Sequence, residues 1–78
     1  MNERQEILLQ EIAYYFNRKQ KVHIELLGRR FYNGIITEYD EEKLILLDHK
    51  TKSTIPIFIR LIKIVEPYME RTNYDKNS

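Results

Sequence analysis

The stretch of sequence that decides the fold is residues 31–40, FYNGIITEYD. Its β-branched and aromatic residues predict a strand from Phe31 to Tyr39, with Gly34 in the interior of that strand. A glycine inside a strand marks a bend, a bulge or a close approach of two backbones. Polar turns flank the strand, Gly28-Arg29-Arg30 before it and Asp40-Glu41-Glu42 after it. We therefore predict a central strand that bends at Gly34.

Further short strands are predicted on both sides of this segment. Apolar and polar residues alternate over 21–27, residues 43–48 form an apolar strand, and residues 55–65 contain two strands with a break near Arg60-Leu61. A polar hairpin loop, 49–53, connects the third and fourth strands. Short strands joined by tight turns, one of them bent at a glycine, favour a small, strongly bent, five-stranded antiparallel barrel.

The N-terminal region predicts one α-helix over residues 2–19. Its apolar residues recur at helical spacing, Asn2 is a candidate N-cap, and basic residues follow at the C-terminal end. The predicted class is therefore mainly β with an N-terminal α-helix. We assign the whole chain of 78 residues to one domain over 1–67, with the barrel at 21–66, and expect the polar tail, 68–78, to be flexible.

Residues 55–65 are apolar on both faces of the predicted strands, with only Arg60 and Lys63 charged. A short chain without cysteine has a thin core and no disulfides, so a partner subunit is the expected source of extra stability. An antiparallel strand with one solvated face alternates apolar and polar residues. We therefore predict an oligomer interface at Ile55, Ile57, Phe58, Ile59, Ile62 and Ile64.

Composition excludes several classes of protein. The chain has no cysteine, and its two histidines, His23 and His49, lie far apart in the sequence without evident ligand neighbours, so we predict no metal site and no cofactor. There is no pattern typical of a nucleophilic triad or a phosphate-binding glycine loop, so we predict neither an enzyme nor a small-molecule substrate. No signal peptide or membrane-spanning run is evident, and we expect a cytoplasmic protein that does not bind membranes.

The order of these elements resembles the Sm-like family, most closely its bacterial Hfq branch. An N-terminal helix and first strand precede a turn at Gly28, an inner glycine at Gly34 and an aspartate at Asp40. An apolar strand, residues 44–47, follows, and then two apolar strands that end before a proline, residues 58–67. The resemblance covers about Ile12 to Pro67. It implies a bent five-stranded Sm-like barrel whose fourth and fifth strands pair between subunits in rings of six or seven that bind RNA.

The sequence also departs from that family in the nucleotide site. Glu42 and Leu44 stand where the family has a base-stacking and a base-reading residue, and Leu61 replaces a glycine after Arg60. Asp40 and Arg60 remain from the site, and as an alternative to a role in nucleotide binding we predict an ion pair between the two side chains. Pro56 lacks an N–H, and it weakens ring closure if that position faces the next subunit.

The net charge of +1 conceals a segregation of charge along the chain. Residues 17–30 and 49–65 each sum to +4, whereas residues 31–48, which include Glu38, Asp40, Glu41 and Glu42, sum to −4. The Hfq branch has a basic patch at the end of its helix, on the ring rim. The candidate RNA-binding residues are therefore Arg18, Lys19, Lys21, Arg29, Arg30, Asp40 and Arg60. A solvated helix end explains the first three equally well.

These observations leave three functional hypotheses. The first is a homo-oligomeric ring that binds single-stranded RNA through basic rim residues, with a degenerate nucleotide site at the pore. The second is the same barrel as a protein-interaction or assembly module with little affinity for nucleic acid, as Glu42 and Leu44 suggest. The third, which we favour least, is a small DNA-associated barrel that forms no ring.

Overall fold

A computed structural model describes residues 3–69 of the chain. These residues form one helix and five strands, in the order α1 (Glu3–Arg18), β1 (Val22–Leu26), β2 (Phe31–Tyr39), β3 (Lys43–Asp48), β4 (Thr54–Phe58), a 3-10 turn (Ile59–Leu61) and β5 (Ile62–Pro67). The predicted class, mainly β with an N-terminal helix, is confirmed. The predicted N-cap Asn2 and residues 70–78 of the predicted tail lie outside the described residues.

The five strands form one antiparallel sheet in the order β4-β3-β2-β1-β5. β4 and β5 follow each other in the chain with only the 3-10 turn between them, yet they lie at opposite edges of the sheet. A connection this short requires the sheet to curl until its two edges approach each other. The result is a barrel-like sheet in which β4 and β5 each keep one edge without a strand partner among the described residues.

The core lies between the curled sheet and the apolar side of α1. Leu8 and Ile12 are the buried residues of the helix, and Ile12 has no exposed surface. They pack with residues from every strand and from the 3-10 turn, namely Val22, Ile24, Ile36, Leu44, Leu46, Ile57, Ile59, Ile62 and Val65. The helix therefore covers the core, and it contacts β2, β5 and the 3-10 turn.

Gly34 occupies a position where two strands approach closely, as predicted. A Cβ atom at this residue would lie 2.1 Å from the backbone oxygen of Leu47, which is on the paired strand β3. Two residues further along β2, the pairing with β3 shifts register between Ile36 and Glu38, which marks a β-bulge. The glycine and the bulge together allow β2 to bend around the core.

The segment 55–65 directs its apolar residues alternately inward and outward. Ile57, Ile59 and Ile62 are buried in the core of the subunit itself, and Val65 joins them. Ile55 and Ile64 are half-buried, whereas Phe58 is 46% exposed and Leu61 is 41% exposed. Of the predicted interface residues, Ile55, Phe58 and Ile64 therefore retain apolar surface for a partner, and the interface itself stays a prediction.

Asp48 organises the loop between β3 and β4. It is only 8% exposed. One carboxylate oxygen, Oδ2, accepts hydrogen bonds from the backbone N–H of Thr51 at 2.8 Å, from the Thr51 hydroxyl at 3.0 Å and from the backbone N–H of Lys50 at 3.1 Å. The hydrogen bond from the Thr51 backbone is the main cause that lowers the pKa of Asp48 below its ordinary value, because these donors favour the carboxylate form.

We expect Asp48→Ala to lower the midpoint of thermal unfolding by a few degrees at neutral pH, because the loop loses its carboxylate acceptor. A folded-state pKa below the unfolded value stabilises the fold at pH values above the unfolded pKa, and this contribution disappears as the pH falls below about 4. The difference between wild type and variant should therefore shrink at acidic pH. Thermal melts at neutral pH and at about pH 3 measure the difference in unfolding midpoint between wild type and variant. The same difference at both pH values would contradict this role of the carboxylate.

Candidate nucleic-acid interface

The basic residues at the end of α1 lie on an exposed turn that leads into β1. The helix ends at Arg18, and Lys19 adopts a left-handed backbone conformation with φ of 52°. The backbone N–H of Lys19 donates to the carbonyl of Phe16, and that of Gln20 donates to the carbonyl of Tyr15, both at 3.1 Å. This backbone arrangement is typical of a helix C-cap, and it places three cationic side chains within one short segment.

Two of these cations contact aromatic rings. The guanidinium of Arg18 lies 5.0 Å from the centre of the Tyr14 ring, and the ammonium of Lys21 lies 5.0 Å from the centre of the Tyr68 ring. Tyr14 is 54% exposed, so one face of an aromatic ring is paired with a cation at the surface. Cations and aromatic rings in alternation can contact phosphates and stack on bases of a single strand.

Lys21 connects the helix end to the loop between β3 and β4. Its ammonium donates to Nδ1 of His49 at 3.1 Å, and the His49 ring lies 6.0 Å from the Tyr68 ring. The backbone of Tyr68 in turn donates to the carbonyl of Lys21 at 3.0 Å. We name Lys21, His49 and Tyr68 the aromatic-basic surface. Beside it is a shallow cleft of about 410 Å³, lined by Phe31, Tyr32, Asn33, Asp48, His49, Lys50 and Tyr68.

Neither His49 nor Tyr68 was predicted to belong to a site. The sequence places His49 in the β3–β4 loop, where the structure also has it, and places Tyr68 in the polar tail. No local spacing connects residues 21, 49 and 68. They meet because β1 pairs with β5 and the β3–β4 loop returns to the start of β1. Only the long-range pairing of strands brings these three residues together.

Arg29 and Arg30 lie apart from the helix end. They occupy the turn between β1 and β2, where Arg29 has a φ of 68° and the carbonyl of Arg30 accepts a hydrogen bond from Leu26 at 2.7 Å. The whole of β1, about 15 Å of extended chain, separates this turn from Lys21. The structure therefore does not bring the two predicted basic groups into one patch.

Asp40 forms the turn between β2 and β3. Its Oδ1 accepts hydrogen bonds from the backbone N–H of Glu42 at 2.7 Å and of Lys43 at 2.9 Å. These bonds, the one from Lys43 foremost, lower the pKa of Asp40 below its ordinary value. The carboxylate therefore stays charged while it supports the turn.

The predicted ion pair between Asp40 and Arg60 is not formed within the described chain. Asp40 uses its carboxylate for its own turn, and the Arg60 guanidinium lies 5.5 Å from the centre of the Phe58 ring. That prediction was wrong because a backbone N–H two or three residues away is a closer partner than a side chain on another loop.

The structure does bring the Asp40 turn next to the break between β4 and β5. The backbone N–H of Ile59 donates to the carbonyl of Glu42 at 2.9 Å, and Nε2 of Gln5 donates to the carbonyl of Glu41 at 3.1 Å. A cleft of about 260 Å³ lies at this junction and is lined by Gln5, Glu42, Phe58 and Arg60. It offers one exposed aromatic ring, one guanidinium and one carboxylate.

Pro56 affects the free edge of β4. It lies opposite Ile45 of β3, where it can donate no hydrogen bond. Since hydrogen-bonded and non-bonded pairs alternate in an antiparallel ladder, its backbone faces away from β3, toward the edge without a strand partner. That edge therefore presents N–H donors at Thr54 and Phe58 but none at Pro56.

The folded chain has an Sm-like fold, in which an N-terminal helix precedes five strands of a bent antiparallel sheet. A 1.55 Å crystal structure of the pleiotropic translational regulator Hfq matches it with a TM-score of 0.68. The match covers 77% of this chain and 97% of the Hfq chain at 18% sequence identity. No protein-family model and no curated protein sequence matches the chain. The expected resemblance is thereby confirmed at the level of the fold.

Within residues 3–69, no helix is both long and apolar enough to cross a membrane.

Proposed function

We propose that this protein is a homo-oligomeric Sm-like ring that binds single-stranded RNA. The observation that carries the proposal is the placement of Arg18, Lys19 and Lys21 on the exposed turn after α1, next to Tyr14 and Tyr68. Tyr14 contacts Arg18 and Tyr68 contacts Lys21, and the C-cap turn places Lys19 between these two residues, so that the three cations can contact successive phosphates. Such contacts give affinity with little sequence information. The role is one of binding rather than catalysis, in the cytoplasm.

Ring formation is supported by the two edges of the sheet. β4 and β5 each have one edge free of a strand partner in the described chain. Apolar surface lies along the same two strands, at exposed Phe58 and at half-buried Ile55 and Ile64. Free edges are templates for pairing with another chain. Pairing β4 of one subunit with β5 of the next gives a head-to-tail interface that closes into a ring, for which we propose six or seven subunits.

The pore-side nucleotide site is proposed to be degenerate. Arg60 and Phe58 line the cleft beside the Asp40 turn, but Glu42 shares it and adds a negative charge where a phosphate would approach. Arg29 and Arg30, at the other end of β1, provide a separate phosphate-binding point. We therefore expect the helix end to dominate affinity, and the cleft to contribute less.

A second candidate function is supported by the acidic turn between β2 and β3. Glu38, Asp40, Glu41 and Glu42 are all exposed around one turn. A ring with this turn at its pore repels nucleic acid there, and suits a module that binds a basic protein segment. In that case the barrel serves assembly and has little affinity for RNA.

Binding titrations on protein of known mass distinguish these functions. The full chain is titrated with oligo-U, oligo-A and duplex DNA at several salt concentrations, and light scattering gives the mass of the particle at the same protein concentration. We expect a ring that binds single-stranded RNA, with affinity falling as salt rises. Absence of RNA binding at low salt would leave the assembly module, and a monomer would contradict both ring functions.

A further inference from the structure

Among residues 3–69, His23, Glu25 and Glu66 are the one group of side chains whose ligand atoms could together hold a metal ion, and these atoms lie within 4.8 Å of one another. The sheet brings them together. His23 and Glu25 are two residues apart on β1 and so point to the same face, and Glu66 of β5 lies directly opposite His23 in the β1–β5 ladder. This group could not be predicted, because the register of β1 with β5 is not visible in the sequence.

The imidazole of His23 is held in one orientation. Its Nδ1 lies 2.7 Å from Oδ1 of Asn33, an acceptor, so Nδ1 carries the hydrogen of that bond. The Phe31 ring packs against the imidazole at 5.4 Å between ring centres. In the neutral ring the other nitrogen, Nε2, therefore has a lone pair directed toward the carboxylates.

The space between His23 and Glu25 suits a proton or a metal ion. Nε2 of His23 lies 3.3 Å from Oε2 of Glu25. Two lone pairs at that distance repel each other unless a proton or a metal ion lies between them. Two ligands of a tetrahedral zinc ion, each about 2.05 Å from the metal, are separated by about 3.3 Å, so the observed spacing already matches one edge of such a site.

We propose that His23, Glu25 and Glu66 bind a divalent transition-metal ion of the zinc type. One imidazole nitrogen and two carboxylates suit zinc, whereas magnesium and calcium prefer oxygen ligands alone. The cleft of about 480 Å³ beside His23 and Glu66 leaves the fourth ligand position open to water or to a group of a bound molecule. Asn33 acts as a positioning residue, since its oxygen fixes the tautomer that presents Nε2. This site does not depend on the proposed RNA function.

Calorimetric titration of the metal-free full chain with zinc sulfate at neutral pH tests the site. We expect one zinc ion per subunit, and magnesium sulfate should give no comparable heat. His23→Ala should abolish the binding, Glu66→Gln should weaken it more than about tenfold, and Asn33→Ala should weaken it about tenfold. His49→Ala is the matched control and should bind zinc as the wild type does, because the His49 ring pairs with the ammonium of Lys21. Thermal melts show whether each variant is folded.

NMR of the imidazole nitrogens gives an independent readout that needs no variant. Zinc should shift the Nε2 resonance of His23 and leave His49 unchanged. If zinc produces neither heat nor a shift at His23, the proposed metal site is wrong. Equal zinc affinity in wild type and in folded His23→Ala would also overturn it.

Discussion

Replacing Gly34 with alanine is expected to lower the free energy of unfolding by about 3 kcal/mol. The added methyl group would lie 2.1 Å from the backbone oxygen of Leu47 and 2.9 Å from its carbonyl carbon. Backbone atoms of a paired strand cannot move aside as a flexible side chain can. The strands β2 and β3 must therefore separate at this point, which strains the pairing on both sides of the bend.

Gly28 provides the matched control for this substitution. No atom lies within 4 Å of a Cβ built at Gly28, and its φ is not in the left-handed region. Gly28→Ala should therefore leave stability nearly unchanged, whereas Gly34→Ala should lower the midpoint of thermal unfolding by about 10 °C or more. Both melts are recorded at equal protein concentration, because association changes the apparent stability. Equal midpoints for the two variants would show that the close approach at Gly34 does not limit stability.

Removing the three cations after α1 is expected to lower RNA affinity about tenfold to a hundredfold at moderate salt. The variant is Arg18→Gln, Lys19→Asn and Lys21→Gln, with asparagine chosen because it tolerates the left-handed backbone at residue 19. Each lost phosphate contact on a single strand also reduces the slope of log affinity against log salt by about 0.7. The salt dependence should therefore be shallower by about two units.

A charge-matched variant separates a local site from a general effect of net charge. The control variant removes the same charge from three exposed positions outside the helix end, by the substitutions Lys43→Gln, Lys52→Asn and Lys63→Gln. This control should keep most of the affinity for oligo-U and oligo-A. An equal loss in both variants would indicate diffuse attraction, and no loss in either would place the RNA site elsewhere. Thermal melts confirm that both proteins are folded.

Much of the fold could be predicted from local signals. β2 and β3 have the predicted bounds, because polar turns flank them and Gly34 marks the bend. The break near Arg60 is also present, as a 3-10 turn. The inward or outward direction of the apolar side chains in 55–65 could not be predicted, because the 3-10 turn interrupts the strand alternation. Ile57 before the turn, Ile59 at its first position and Ile62 after it are all buried in the core.

The candidate sites were predictable only where their residues are neighbours in sequence. The basic turn after α1 is a local feature, and sequence reasoning identified it. The aromatic-basic surface and the group around His23 each join residues from distant parts of the chain, such as Lys21 with His49 and His23 with Glu66. Such juxtapositions depend on strand register, which hydrophobic alternation alone does not determine.

Because of the acidic turn, ring assembly and RNA binding are expected to respond to salt in opposite directions. Asp40 keeps its charge because its own backbone stabilises the carboxylate, and three exposed glutamates surround it. A closed ring repeats this cluster around its axis, so the subunits repel one another over the screening length of about 10 Å at 0.1 M salt. Added salt then strengthens assembly while it weakens RNA contacts. At protein concentrations where the ring begins to dissociate, RNA affinity should therefore pass through a maximum at intermediate ionic strength.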